Sequence, residues 1–417
     1  MRDLYRGEIE TGGPKIRDAH VDIKRAIGIS KSHGQSDKYG GYEMLNFAVI
    51  GVGRMGSRHA YNLAHGALAG VRLCAVCDIS EEALKKCKKR APRAKQYTDY
   101  KQLIDCEKPD GVIIATPHYS HAEIAIYCIE HGVNTLVEKP ASPTVAMAKS
   151  VASAAAAHPD VKAAVSYNQR SNRMYKRAKK LLESGKLGDI QRADFIITNW
   201  YRSQAYYNQG GWRATYAGEG GGCLMNQCVH QLDILQWLVG MPKSITAVTR
   251  TADRDITVEN DVAAILSYEG FDCAFTASTH EIKGVNRLEI ACDKGRLVIG
   301  PLFMKVYRHK SQKQVNRETK FGYGATPSRS YVVGYGFCRL VADIVFGQQL
   351  RSLRAFRDAI KGKGTPLADI SEGERALQII NGIYLSAHGD KRVSLPIDEA
   401  EYSAYLEEMK RAERERR

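Results

Sequence analysis

The sequence predicts an α/β chain of two domains, a parallel sheet covered by helices and then a second α/β domain on an open, mostly antiparallel sheet. Three observations predict it. An apolar run over residues 45–50 ends in the glycine turn Gly51-Val-Gly53-Arg54-Met55-Gly56. Between residues 45 and 167, short apolar strands alternate with helical patterns, as a parallel sheet with crossover helices requires. Beyond residue 190 the strands lengthen and alternate in hydrophobicity, as a sheet with one buried face requires.

Composition bounds the classes available. A chain of 417 residues with 44% hydrophobic content can bury a large core and has room for two domains. No apolar run approaches the ~20 residues that span a bilayer, and the N-terminus carries no secretory segment. A cytoplasmic protein without membrane association is expected. The ten cysteines are scattered, and Cys74, Cys128, Cys273 and Cys292 fall inside apolar patterns, as reduced core thiols do. Cys74 and Cys77, three apart on a strand, face opposite sides and suit neither a metal nor a redox pair. The net charge of +15 gathers at residues 85–95, 170–192 and 305–320. The first two runs have the spacing of solvated helix faces, and no nucleic-acid signature accompanies them. Anionic small molecules are the partners that such a field attracts; nucleic acid is not expected, nor is a metal.

In chain order, residues 1–44 have mixed charge and no periodicity and read as an arm. The first domain, 45–167, reads as strands 47–50, 71–76, 111–116, 133–138 and 163–167 with helices 56–69, 81–90, 121–131 and 144–157. The second domain, 168–405, opens with a basic helix at 175–184. Strands follow at 190–200, 245–251, 262–268, 273–280, 288–292 and 296–299, interrupted by an aromatic loop at 201–222 and the helix it feeds at 223–239. Residues 305–331 are polar, basic and glycine-punctuated and read as a long excursion. Helices return at 336–346, 353–361 and 372–388. Residues 406–417 read as a charged end, frayed from 410.

Four stretches carry chemistry. In the glycine turn, Gly51 permits the tight exit from the strand, Gly53 lets backbone approach a pyrophosphate, and Gly56 lets the helix pack close; Arg54 and Met55 lie between. Asp78 follows Gly56 by twenty-two residues, where a carboxylate can hold ribose hydroxyls and repel a ribose phosphate, so NAD is expected in preference to NADP. A solvated turn residue is the alternative. The strand at 111–116 ends in Thr116, Pro117 and His121, at the same sheet edge. The next strand ends in Glu138-Lys139-Pro140, where an ammonium can point at a substrate oxygen while Pro140 fixes the backbone, with a cis peptide expected there. Finally, Gly220 to Asp233 places three glycines before a helix on which Asn226 and His230, four apart, share a face.

Together these motifs resemble the Gfo/Idh/MocA oxidoreductases, the family of glucose–fructose oxidoreductase and inositol dehydrogenase, over residues 45–405. Pro366-Leu367 and the stretch 381–386 add to the resemblance. It implies an N-terminal Rossmann domain, a C-terminal α/β domain with an open, mostly antiparallel sheet, a nicotinamide cofactor and a sugar or cyclitol substrate. Lys139 and His230 fall on the family's catalytic positions. Family members usually carry Asp where this chain has Asn226, and an amide cannot accept a proton. The resemblance therefore leaves His230 as base and Asn226 as a hydrogen-bonding orienter, as in a sugar-modifying subgroup whose 200–213 loop is similar. Cofactor contacts are expected from Gly51, Gly53, Arg54, Met55, Gly56, Asp78, Thr116, Pro117, His121, Glu138 and Lys139. Substrate contacts are expected from Asn168, Arg202, Tyr206, Tyr207, Trp212, Arg213 and Asn226. Tyr206, Tyr207 and Trp212 can offer a face to a pyranose or simply pack a sheet edge; Arg202 or Arg213 can bind hydroxyls or a carboxylate.

The activity expected is hydride transfer between a ring hydroxyl or ketone of a sugar, glycoside or cyclitol and NAD. A glycosidase or lyase that oxidises transiently with retained NAD is the alternative, and a cofactor-bound regulator is disfavoured by the intact Lys139 and His230. A homodimer or homotetramer joined through the antiparallel sheets is expected.

Overall fold

The structure, a computed structural model, describes residues 44–319, 327–334 and 337–416. The expected N-terminal arm lies outside the described residues apart from Met44. Six strands form the first sheet: β1 (Leu45–Ile50), β2 (Val71–Cys77), β3 (Lys95–Tyr97), β4 (Gly111–Ile114), β5 (Asn134–Val137) and β6 (Ala163–Val165). All pairs are parallel, in the order β3-β2-β1-β4-β5-β6. β1 and β4 are buried almost throughout, which is why they read as continuous apolar runs: helices cover both faces. The chain leaves β1 toward β2 on one side and later returns to β4 on the other. That reversal opens a crevice at the strands' carboxyl ends.

The second sheet has nine strands. They are β7 (Ile190–Ile197), β8 (Ser244–Arg250), β9 (Asp261–Ser267), β10 (Asp272–Ser278), β11 (Asn286–Cys292), β12 (Gly295–Ile299), β13 (Phe303–Arg308), β14 (Arg329–Gly334) and β15 (Val393–Ser394), ordered β14-β13-β12-β11-β7-β10-β9-β8-β15. One pair, β7 with β10, is parallel; the others are antiparallel. Burial alternates along β8 and β9, the signature of a sheet covered on one face. Helices Val229–Val239 and Gly373–Gly389 supply that cover, with Leu232, Leu235, Ile379 and Ile383 in the same core as Phe195, Phe275 and Leu266.

Five expectations need correction. The excursion at 305–331 contains most of β13, the start of the edge strand β14 and a helix, Gln312–Glu318; residues 320–326 lie outside the described residues. Edge strands read as polar because one face and one edge meet water. β3 and the helix Tyr100–Glu107 were hidden for a similar reason, being short and partly exposed. The helical segments expected at 336–346 and 353–361 are two helices within Phe337–Ile360, separated by a kink at Gly347, whose φ of 59° only glycine adopts readily; the second follows directly on that kink, earlier than expected. Arg170, assigned to a solvated basic run, is buried: it pairs with Asp233 at 2.6 Å and Glu372 at 2.8 Å and lies over Trp237. Nor is the C-terminus frayed. Helix Glu399–Glu415 docks, and Glu413 is 2% exposed.

Among the described residues, Cys77, Cys128, Cys273 and Cys292 are buried free thiols and Cys74 is half-buried. No helix among them is long and apolar enough to cross a membrane.

Candidate active site

The glycine turn forms one end of the site. Gly51 has φ of 84°, and a Cβ there would meet the Ala115 carbonyl and the Thr116 amide at 2.7 Å. A Cβ on Gly56 would strike the Gly51 carbonyl, whereas one on Gly53 would meet open space. The turn is thus packed on its inner side and open where a pyrophosphate would sit. Helix Arg54–Ala64 begins there with no side-chain cap and no acidic residue in its first turn, so its free N–H groups and dipole suit an anion. Asp78 stands alongside, its two carboxylate oxygens accepting the Val52 and Ser80 amides at 2.8 and 2.9 Å. Ile79, 93% exposed, offers an apolar face beside it of the kind an adenine covers. The residues present therefore fit a dinucleotide. The surface pocket that continues from Gly53 is also lined by Ser80, Lys86, Lys89 and Arg90.

At the other end, Lys139 emerges from β5 through a cis Lys139–Pro140 bond, as expected. Its ammonium donates to the Asn226 main-chain carbonyl at 2.7 Å and to Asn226 Oδ1 at 3.4 Å. That carbonyl has a structural origin. Leu224–Cys228 is a π-helical turn feeding the α-helix Val229–Val239, a correction to the single α-helix expected from residue 223. A π-turn bonds five residues on, and the change of register back to the α ladder leaves carbonyl capacity for an outside donor.

Glu219, missed in the sequence, completes this cluster. Its carboxylate accepts Asn226 Nδ2 at 2.5 Å and the Ala214 amide at 2.8 Å, and Arg213 lies 3.8 Å away. Burial raises its pKa, against the lowering effect of the Ala214 amide and of Arg213 and Lys139. Burial likewise lowers the Lys139 pKa, opposed by Glu138 and Glu219. His230 is pushed down to about 3 by burial and then by the Lys139 charge; it is a neutral imidazole, packed edge-on to Tyr167. Glu138 turns away from this cluster. It accepts His59 Nε2 at 2.7 Å and Ser166 at 3.3 Å. Burial raises its carboxyl, but His59 and Lys139 outweigh that and hold it at about 2.

The aromatic loop closes over the site. Guanidiniums of Arg202 and Arg213 lie 4.8 and 5.5 Å from the Tyr206 ring, and Arg213 also lies over Trp212. Trp212 meets His118 edge-on, and His118 Nδ1 bonds the Glu219 carbonyl at 2.9 Å. The C-terminal helix pins the loop: Glu413 accepts the Tyr216 and Ala217 amides at 3.1 and 3.0 Å and the Thr257 hydroxyl.

The structure therefore brings Lys139 and Asn226 into contact, sets His230 within their electrostatic reach, and gathers Arg202, Tyr206, Trp212 and Arg213. Two expected cofactor residues are engaged otherwise. His121 is 1% exposed, with its ring nitrogens on the Pro140 and Thr116 carbonyls; it braces the two strand ends. Glu138 is committed to His59. Thr116 accepts the Ser120 hydroxyl, and Pro117 precedes the short turn His118–Ser120. Tyr207 bonds Thr279 at 2.8 Å, the packing alternative. Asn168 is buried at the start of the turn Asn168–Ser171. Of the missed residues, Glu219 carried one signal, a lone carboxylate directly before three glycines; His59 and Glu413 carried none.

Comparison with known proteins agrees with this geometry. A model described as the oxidoreductase family with an NAD-binding Rossmann fold matches residues 45–167, and the GFO/IDH/MocA C-terminal domain matches 175–298. The chain belongs to the GFO/IDH/MocA oxidoreductase family. It is similar to inositol 2-dehydrogenase 2 of Saccharopolyspora erythraea, 30% identical over 50% of this chain and 58% of that one. It is also similar to myo-inositol 2-dehydrogenase of Thermotoga maritima, 26% identical over 47% of this chain and 55% of that one. The chain thus matches little more than half the length of these relatives. Among solved structures, the WlbA dehydrogenase of Bordetella pertussis in complex with NADH and UDP-GlcNAcA aligns with a TM-score of 0.69 at 26% identity, over 85% of this chain and 100% of that one. Levoglucosan dehydrogenase in complex with NADH and levoglucosan shares the fold, with a TM-score of 0.70 at 22% identity over 84% and 99% of the two chains.

Proposed function

We propose that this protein transfers a hydride between a ring hydroxyl or ketone of a sugar, glycoside or cyclitol and a nicotinamide cofactor. The observation that carries the proposal is the contact of Lys139 with Asn226 beside the neutral His230, in a chain whose glycine turn fits a dinucleotide. The names of its relatives, inositol dehydrogenases and a dehydrogenase that binds UDP-GlcNAcA, support the substrate class.

The chain's residues divide the work. Gly51, Gly53, Gly56 and the first turn of helix Arg54–Ala64 would hold the pyrophosphate, with Asp78 at the ribose. When bound, the nicotinamide supplies the hydride acceptor. Neutral His230 removes the hydroxyl proton as general base, and the Lys139 ammonium stabilises the negative charge developing on that oxygen. Asn226, its amide nitrogen held by Glu219, keeps its oxygen toward Lys139 and fixes that ammonium. Tyr206 and Trp212, each stacked with a guanidinium of Arg202 or Arg213, would line the side of the site that receives the ring.

Within this reading NAD is preferred over NADP, because the Asp78 carboxylate would oppose a ribose phosphate. Lys86 is engaged by Glu82 at 2.6 Å, although Lys89 and Arg90 also line the pocket. We assign the protein to the cytoplasm, consistent with its free thiols. We assign it also to a homodimer or homotetramer formed through the outer face of the second sheet, where Val248 and Ile265 are 58% and 45% exposed. A monomer by light scattering would overturn that assembly. The activity itself is tested by mass spectrometry of the denatured protein for bound nucleotide, followed by NADH formation from a panel of sugars, glycosides and inositols. Absence of both nucleotide binding and turnover would refute it.

A further inference from the structure

The charge around Lys139 does not balance. Three cations, Lys139, Arg202 and Arg213, lie close enough that both arginines depress the lysine. Two carboxylates oppose them, and both are engaged: Glu138 by His59 and Ser166, Glu219 by Asn226 and the Ala214 amide. Among the described residues Arg213 has a single, distant ion pair, 3.8 Å from Glu219, and donates to the Tyr206 hydroxyl at 3.3 Å. Arg202 has no carboxylate partner among the described residues. Its Nη1 donates to the neighbouring Tyr201 carbonyl at 2.9 Å, and its Nε is shielded from water without an acceptor. A desolvated guanidinium N–H left unpaired is costly, and a planar fork of donors is built to receive an oxyanion. Trp200 and Tyr206 flank that guanidinium at 5.4 and 4.8 Å, so a ring seated on the aromatic faces would bring its substituents to Arg202.

We propose that the substrate is an anionic sugar, bearing a carboxylate or phosphate that Arg202 receives while the field of Arg213 and Lys139 reinforces it. The proposal rests on the dehydrogenase reading and narrows its substrate class. Neutral sugars would bind through the same aromatic faces but leave Arg202 Nε unpaired, which is a larger loss than a missing methylene and gives the site selectivity.

The test uses the NAD-loaded protein and the intrinsic fluorescence of Trp200 and Trp212, both close to the arginines, to titrate glucose, glucuronate and glucose 6-phosphate. At least one anionic sugar should bind roughly tenfold or more tightly than glucose, the scale of a charge-assisted hydrogen bond. That preference should weaken with added salt and collapse in Arg202→Gln, and which anion binds identifies the group. NAD binding by Arg202→Gln shows that the variant is folded, and Arg202→Lys should restore part of the preference. Equal affinities, or a preference that survives both high salt and Arg202→Gln, would overturn the proposal. NADH formation is read separately. Oxidation of glucose with no anionic preference sinks this inference alone, whereas anionic preference without turnover by any sugar sinks the dehydrogenase reading.

Discussion

Glu219 accepts the side-chain amide of Asn226 at 2.5 Å and so decides which end of that amide faces Lys139. An isolated asparagine could present either end; here the nitrogen is committed to the carboxylate, and the oxygen lies 3.4 Å from the ammonium. The site's negative charge thus sits one side chain back from position 226.

This arrangement predicts a rescue. Glu219→Gln should lower kcat/KM by roughly tenfold or more, the scale of a lost charge-assisted bond, with NAD affinity unchanged. Asn226→Asp in the native background sets two carboxylates together in a buried site and should also lose activity, since one must take up a proton. The double variant Glu219→Gln/Asn226→Asp restores a single carboxylate and should exceed either single variant. A double-mutant cycle in steady-state kinetics measures the coupling; additive losses would show that the contact does not orient Asn226.

His230→Ala should lower kcat/KM by roughly a hundredfold or more, the usual scale of a lost general base. Because burial and Lys139 depress His230 to about 3, its imidazole is unprotonated in the free protein throughout the neutral range. The acidic limb of kcat/KM attributable to it therefore lies near pH 3 and is absent from His230→Ala. Lys139→Met removes a depressing charge and should move that limb upward. The sign for stability follows. Between its ordinary value of about 6.5 and about 3, the unfolded histidine binds a proton that the folded one refuses, so this group costs stability progressively as pH falls through that window. His230→Phe should flatten the fall in Tm there.

Asp78→Ala should narrow the difference between NAD and NADP affinities in a fluorescence titration, by weakening NAD and admitting the ribose phosphate. Tighter NADP binding by the unaltered protein would sink the assignment of NAD preference.

Glu413→Ala strips two main-chain donors, on Tyr216 and Ala217, of their acceptor. Leaving such groups unpaired costs about 2 kcal/mol or more. The expected result is a lower Tm together with a raised substrate KM, since the same loop carries Trp212, Arg213 and Glu219, while NAD affinity holds. Unchanged KM would show that the C-terminal helix supports the fold without positioning the loop.

The sequence by itself determined the parallel sheet, the glycine turn with Asp78, the placement of Lys139 at a strand end and the alternating second sheet. Each depends on short-range chemistry: a two- or 3.6-residue period, or a turn that only glycine fits. Tertiary structure decided the rest. Arg170 looks like any surface cation until Asp233, 63 residues on, is packed against it. β13 and β14 become strands because each finds a partner edge. The π-turn at Leu224–Cys228, the amide direction of Asn226 and the docking of Glu413 join residues that lie far apart in the chain or depend on such contacts; Lys139 meets Asn226 across 87 positions, and Glu413 meets Tyr216 across 197. No local pattern encodes which buried carboxylate will meet which donor. That choice follows from desolvation, which makes an unpaired buried polar group so costly that the fold must bring a distant partner to it.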